Sequence, residues 1–423
     1  MQRSNHLKKY RSIEVNYLIL MLLFFSIFIF TNIIRIIVGN KISLDLTIPF
    51  FSVLLYFLYF ILNYKKIKFN FFCICVFILL LNIISLVTYK VTLSEETVFM
   101  VTIFSPLIIF VMEPPSGEII KKTFLKIRFI LNFVVVINTI YGVMDYMLKG
   151  ALQLYLSNYL QNSSFIILIP LELSLKVYRL YSLLGHPLTN TFYYLAVFIV
   201  NLTHGYYFYD RHVRFSIIYI FIIIGMLLSN SKIGIVLLFI VLISIMLKFR
   251  NKNKYIYAVL FLIGVLIFSK SSYFENNVIP RFSEAIQMGD ITNGRQTSLN
   301  ILLNSNVEKP SIFLGKGFGS SVRLCVDTLG LTNSFENPII MFSYDYGIVS
   351  TLLIYFIIFI YPSYIMIRNK HYYPFFLYLI LFIFGNTYNG FGENLGVFQM
   401  FTYTAFILMS VSKYQRAIMY KQK

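Results

Sequence analysis

The sequence contains no tryptophan and little charge. Asp, Glu, Lys and Arg together make up 13% of its 423 residues, about half the share in a soluble globular domain (~25%). Acids are the scarcer sign, 17 against 36 Lys and Arg. Such a balance excludes a chain whose only solvent is water. Cysteine is also rare: Cys73 and Cys75 share one apolar run, and Cys325 stands in a polar stretch without a partner. No disulfide framework is implied. Neither H-E-x-x-H nor C-x-x-C nor a D-x-D carboxylate pair occurs. That argues against a metal or other cofactor and against glycosidase-type acid/base work.

What is present is hydrophobic, at 58% of residues, with 44 Phe and 33 Tyr. With Ile, Asn and Lys common and Trp absent, the composition reads as that of an AT-rich bacterial genome. Apolar runs recur at 16–38, 45–64, 70–89, 97–113, 124–146, 187–208, 215–229, 232–248, 255–269, 337–362, 372–388 and 396–412. A helix rises ~1.5 Å per residue and needs ~20 residues to cross hydrocarbon. Backbone N–H groups in lipid need internal partners, which makes continuous runs of this length helical. The expectation is an all-α, polytopic integral membrane protein, a single membrane domain over 1–423 with about twelve transmembrane helices. The first run lacks a small-residue cleavage site and reads as an anchor rather than a removable signal.

Lys and Arg cluster in alternate connections, for example Lys65, Lys66 and Lys68, then Lys121, Lys122, Lys126 and Arg128. Because basic loops stay in the cytoplasm, both termini are expected there. Two long extracytoplasmic loops then remain, at 148–186 and 270–336. The first contains Phe165–Leu171, too short to span and interrupted by Pro170, as expected of an interfacial or re-entrant segment. The second is long enough for a helical cap, with a helix expected over Ile291–Glu308 and Arg295 in its first turn.

GKGFGSS (Gly315–Ser321) matches neither the P-loop nor G-x-G-x-x-G, so a flexible turn is expected there. Asp345, within an apolar run, is expected to face the bundle and pair with a cation or water. Asn386, Asn389 and Glu393 read as an outer turn. Arg179, Lys232, Arg281 and Arg295 fall at the outer mouth of the helices. A guanidinium grips phosphate bidentately, so Arg179 and Arg295 read as an anion site; Lys232 reads equally well as a side chain snorkelling to lipid phosphate.

The order RLYSLLGHPLTN (Arg179–Asn190), SNSKIG (Ser229–Gly234), NGRQTSLNILL (Asn293–Leu303), FLGKGFGSS (Phe313–Ser321) and ENPIIMFSYDYGIVS (Glu336–Ser350) resembles the O-antigen ligase and Wzy-type polysaccharide polymerase superfamily. The resemblance covers Arg179 to Ser350. It implies a metal-independent membrane glycosyltransferase without cofactor in the bacterial plasma (inner) membrane. A capsule or O-antigen type polysaccharide would pass from undecaprenyl pyrophosphate to a lipid-linked repeat unit on the outer face. Arg179 and Arg295, with Lys232 and Arg281, would hold the pyrophosphate. Glu336 is the first candidate for general base and His186 the second. Lys232 stands where the family commonly has Ser-Arg, and Glu336 precedes Asn337 where many members have His-Asn. The implied partners are the undecaprenyl-pyrophosphate-linked oligosaccharide, membrane lipid, a flippase and a chain-length regulator, with no nucleic acid. Two other readings stay open: a flippase or transporter of the same lipid-linked sugars, and a ligase using the same donor. A non-catalytic scaffold is a third.

Overall fold

A computed structural model describes residues 14–42, 49–115, 117–160, 165–175, 177–208, 217–248, 269–280, 282–283, 295–304, 306–328, 330, 336–387, 390–392 and 395–421. Among them the regular structure is helical; the only pairings of β type are two isolated bridges, Ile67 with Met112 and Ser182 with Gly185. The helices are α1 (Glu14–Ile29), α2 (Asn32–Ile42), α3 (Phe50–Leu62), α4 (Phe69–Tyr89), α5 (Leu93–Val111), α6 (Gly117–Met147), α7 (Ala151–Ser157), α8 (Phe165–Ser174), α9 (Pro187–Phe208), α10 (Ile217–Ser229) and α11 (Lys232–Lys248). They continue with α12 (Arg295–Asn304), α13 (Ser320–Arg323), α14 (Pro338–Tyr346), α15 (Ile348–Arg368), α16 (Tyr372–Asn386) and α17 (Leu395–Lys421).

The expected twelve spans are not there. Among the described residues four helices are long and apolar enough to cross a membrane, α4, α5, α6 and α15, or five if the pair α1 and α2, bent by 84°, is one span. The difference has local causes. The run at 337–362 is divided at Gly347, whose φ of 83° and ψ of 157° no helix accommodates; only its second half, in α15, is span-length. The runs at 45–64, 215–229 and 372–388 become helices of 13, 13 and 15 residues. The run at 255–269 lies almost wholly outside the described residues, Ser269 alone being described. The placement of both termini on one side rested on run-by-run alternation, and it falls with the count. The few long apolar helices mark a membrane-associated protein.

The chain divides into two compact units, unit 1 comprising Met1–Asn32, Asp45–Phe129 and Ser298–Lys423, and unit 2 comprising Ile33–Leu44 and Ile130–Thr297.

In unit 1, α5 is the most enclosed span and packs on α3, α4 and α17. Its start is a capping box: the Glu95 N–H donates to Thr92 Oγ1 at 3.3 Å and the Thr92 N–H to Glu95 Oε2 at 3.0 Å, satisfying two orphan donors of the first turn. A π turn at Met100–Phe104 follows. There the Val101 carbonyl receives the Gln399 amide of α17 at 3.2 Å. Phe110, Phe398, Phe401 and Tyr403 are buried at these contacts.

In unit 2, α9 is the core, with nearly every side chain from Pro187 to Tyr206 buried between α10, α11 and neighbouring chain. Its inward polar groups are matched across helices. Asn138 of α6 donates to Asn190 Oδ1 at 3.0 Å and to the Tyr194 hydroxyl at 2.9 Å, and the Asn132 and Asn201 amides exchange bonds at 3.2 and 2.6 Å. α9 is therefore a core helix built on paired polar groups; although 22 residues long, it is not one of the four apolar spans.

Candidate functional site

In unit 2, three stretches distant in sequence meet around Tyr178. The Tyr178 N–H donates to Asn277 Oδ1 at 2.9 Å, and the Asn230 amide donates to the Tyr178 carbonyl at 3.3 Å and the Asn277 carbonyl at 3.0 Å. The Leu180 N–H bonds the Leu228 carbonyl at 3.0 Å, and the Tyr273 hydroxyl bonds the Leu227 carbonyl at 2.7 Å. The segment holding Arg179 is thereby stitched to the turn that opens α11 at Lys232 and to the π turn Phe274–Val278. Asn230 adopts a φ of 49° to make this turn, a conformation that asparagine tolerates better than most residues.

A buried carboxylate anchors the same segment from below. Asp145 Oδ1 accepts the N–H groups of Leu152 and Gln153 at 2.8 and 3.0 Å, capping α7, and Oδ2 accepts the Tyr178 hydroxyl at 2.9 Å. Burial and the Asp145 charge push the Tyr178 phenol far above its ordinary range, so it stays a neutral donor. Gln153 in turn accepts the Tyr181 N–H at 3.0 Å.

Asn190, on the first turn of α9, closes the far end. Its amide donates to the carbonyls of Leu180 and Gly185 at 3.1 and 2.8 Å, and its Oδ1 accepts the Ser182 hydroxyl at 2.8 Å. The turn that carries His186 is thus held by Asn190 together with the Ser182–Gly185 bridge. His186 Nδ1 accepts the Leu188 N–H at 3.2 Å, which assigns the proton of the neutral ring to Nε2. Its ring lies between Phe165 and Tyr181, 6.0 and 5.4 Å between centroids.

Arg179 is mostly buried and pairs with Glu172 of α8, Nη1 to Oε1 at 2.5 Å. Lys232 is half-buried at the start of α11. Arg281 lies outside the described residues, and Arg295 opens α12, its side chain outside them too. Structure therefore brings the Arg179 and Lys232 motifs together by their backbones. Glu336 belongs to unit 1, half-buried, with a φ of 47°. Such a value in a non-glycine residue stores backbone strain. Asn337 beside it caps α14, receiving the Ile340 N–H at 3.5 Å.

Unit 1 holds a second polar centre, in which Asp345 and the Gly315–Ser321 turn meet. Among the described residues Asp345 has no cationic partner: its carboxylate accepts the Ser321 N–H and the Ser320 hydroxyl, both at 2.8 Å, and the Gly319 N–H at 3.2 Å. The turn expected to be flexible, Gly315–Ser321, is laid against α14, with the N–H groups of Lys316 and Gly317 on the carbonyls of Tyr344 and Asp345, both at 3.0 Å. A Cβ at Gly315 would stand 2.0 Å from the Asp345 carbonyl oxygen, so only glycine permits this approach. Burial raises the Asp345 carboxyl to about 6 against the opposing hydrogen bonds.

Beside this loop lie a cleft of about 610 Å³, lined by Tyr89, Glu308, Lys316, Arg323, Asp327 and Tyr344 among others, and one of about 530 Å³ lined by Glu95, Arg323, Met341 and Asp345 among others. Lys316 pairs with Glu308 at 2.5 Å and Arg323 with Glu95. The signal was in the sequence as a glycine loop carrying Lys316 and followed by Arg323, but its fit to no nucleotide motif hid it. Asn389 and Glu393 of the expected outer turn fall outside the described residues, while Asn386 accepts the Tyr355 hydroxyl at 2.5 Å. None of Cys73, Cys75 and Cys325 forms a disulfide. Among the described residues no group of three or more His, Cys, Asp and Glu could hold a metal ion.

Comparison of the chain with family models, with curated proteins and with solved structures gives no match.

Proposed function

We propose that this chain is a glycosyltransferase of the bacterial plasma membrane. In this reading it polymerises a capsule or O-antigen type polysaccharide, moving the growing chain from undecaprenyl pyrophosphate to a lipid-linked repeat unit on the outer face. The observation that carries the reading is the convergence of the Arg179 segment, the Lys232 turn and the Asn277 turn on shared hydrogen bonds. Motifs that need not touch in a scaffold are here locked together, and each brings a cation or a brace for one.

In the proposed reaction the bond between the anomeric carbon and the pyrophosphate oxygen breaks as an acceptor hydroxyl attacks that carbon. Negative charge grows on the departing pyrophosphate, and Arg179 and Lys232 offset it. Charge-assisted contacts of this kind contribute about 1.5–3 kcal/mol each. The acceptor proton needs a base. By the resemblance Glu336 is the first candidate for that role and His186 the second.

The test is chain growth in liposomes loaded with native undecaprenyl-pyrophosphate-linked repeat units, comparing wild type with Arg179→Ala and Arg179→Lys. A product ladder from wild type, lost in Arg179→Ala at unchanged thermal stability, supports polymerisation. If wild type only changes the sidedness of the lipid-linked units, the protein is a transporter. If the chain passes to a different acceptor, it is a ligase.

A further inference from the structure

The cleft of about 610 Å³ in unit 1 is lined by none of the residues given a role in the reaction just described. Its volume falls within the ~300–1,000 Å³ of small-molecule pockets. It is built from α4 (Tyr89), the stretch before the glycine loop (Glu308), the loop itself (Lys316), α13 (Arg323), the turn after it (Asp327) and α14 (Tyr344). The floor is rigid, because the loop is fastened to Asp345 and α14 by the bonds given above.

The lining decides the class of ligand. Two cations and two carboxylates cancel in charge, and Lys316 is already matched by Glu308 at 2.5 Å. An anion such as phosphate would meet Glu308 and Asp327 as like charges. A hydrocarbon chain would take four charged groups out of water and offer none of them a hydrogen bond, which is costly. A polyhydroxylated ring satisfies both kinds of group, each hydroxyl donating to a carboxylate and accepting from Lys316 or Arg323. Two tyrosines supply the apolar platform on which the C–H face of a sugar ring rests; Lys316 Nζ lies 6.0 Å from the Tyr89 ring centre, at the same edge as the charges.

We propose that this cleft is a binding site for an uncharged oligosaccharide, where the non-phosphorylated glycan is held. As a substrate subsite it rests on the polymerase reading above; as a binding site it does not.

The experiment uses the full chain in nanodiscs free of sugar detergents. The probes are the oligosaccharide released by mild acid from the native lipid-linked repeat unit and, separately, inorganic pyrophosphate, each followed by saturation-transfer NMR and titration. The expected result is oligosaccharide binding that weakens about tenfold or more in each of Tyr89→Ala and Asp327→Asn, with pyrophosphate binding unchanged in both. Both side chains are exposed, so folding is retained, and a thermal melt checks it. No oligosaccharide binding, binding indifferent to both substitutions, or pyrophosphate lost in them instead would each overturn the proposal. Oligosaccharide bound through this cleft by a wild type that grows no chain would leave the binding site standing and remove the polymerase reading alone.

Discussion

Asp345 and Ser320 are joined by a 2.8 Å hydrogen bond from hydroxyl to carboxylate, and through it the glycine loop of unit 1 is tied to the helix that precedes Gly347. Together with the Ser321 and Gly319 N–H groups, this makes Asp345 the acceptor on which the loop is folded. Replacing it by asparagine keeps the shape but turns an NH2 group toward donors. Asp345→Asn is expected to lose about 1–3 kcal/mol, read as a lower melting temperature in nanodiscs. A melt equal to wild type would mean the loop is held elsewhere.

The same carboxylate sets a pH dependence. Its folded pKa of about 6 lies above the ordinary 3.8, so between these values the folded state binds the proton and the unfolded state does not. Its contribution is fully present below 3.8 and is lost as pH rises through 6. Wild type should therefore lose more stability between pH 4 and pH 7 than Asp345→Asn does. Parallel melting curves for the two across that range would refute the assignment.

Gly315→Ala is expected to disorder the same loop without removing any polar group. The added methyl would sit 2.0 Å from the Asp345 carbonyl oxygen, and backbone there has no room to yield. A loss of about 1–3 kcal/mol or more follows from such overpacking. Limited proteolysis around Lys316 is the direct readout, and protection equal to wild type would count against the close approach.

Lys68 is half-buried beside the rings of Phe71 and Tyr361, 5.0 and 4.9 Å from their centres, and donates to the Phe110 carbonyl at 2.7 Å. Desolvation, aided by Lys413 and opposed by Glu113, lowers its pKa from 10.5 to about 7. Between those values the unfolded state carries the extra proton, so stability rises with pH from about 7 upward. Lys68→Met should flatten that rise when melts at neutral and alkaline pH are compared, and an unaltered slope would show that another group is responsible.

Glu172 occupies one side of Arg179 and therefore competes with any anion that the guanidinium would bind. Glu172→Gln is expected to strengthen pyrophosphate binding about tenfold, equivalent to roughly 1.4 kcal/mol, as read by titration calorimetry. Weaker binding would mean that Glu172 orients the guanidinium rather than occupying it.

Much of the helical content was legible because long apolar runs need no tertiary information to become helices. The Ile291–Glu308 stretch yielded α12 over Arg295–Asn304. The span count was not legible. Hydropathy sums side-chain transfer over a window and is blind to one residue such as Gly347, whose backbone angles end a helix inside a continuous apolar run. It is equally blind to whether asparagines in α9 have partners on α6.

The amino-acid order alone therefore determined the helical class, the apolar character that associates the protein with a membrane, and the short cationic motifs. The tertiary structure decided which runs stay continuous and which side chains meet. It placed Tyr178, Asn230 and Asn277 in one hydrogen-bonded cluster, and it gave Asp345 a glycine loop in place of a counter-ion. Partners separated by dozens of residues leave no periodicity in the chain, and a buried polar group selects its partner by distance and angle once the helices have packed.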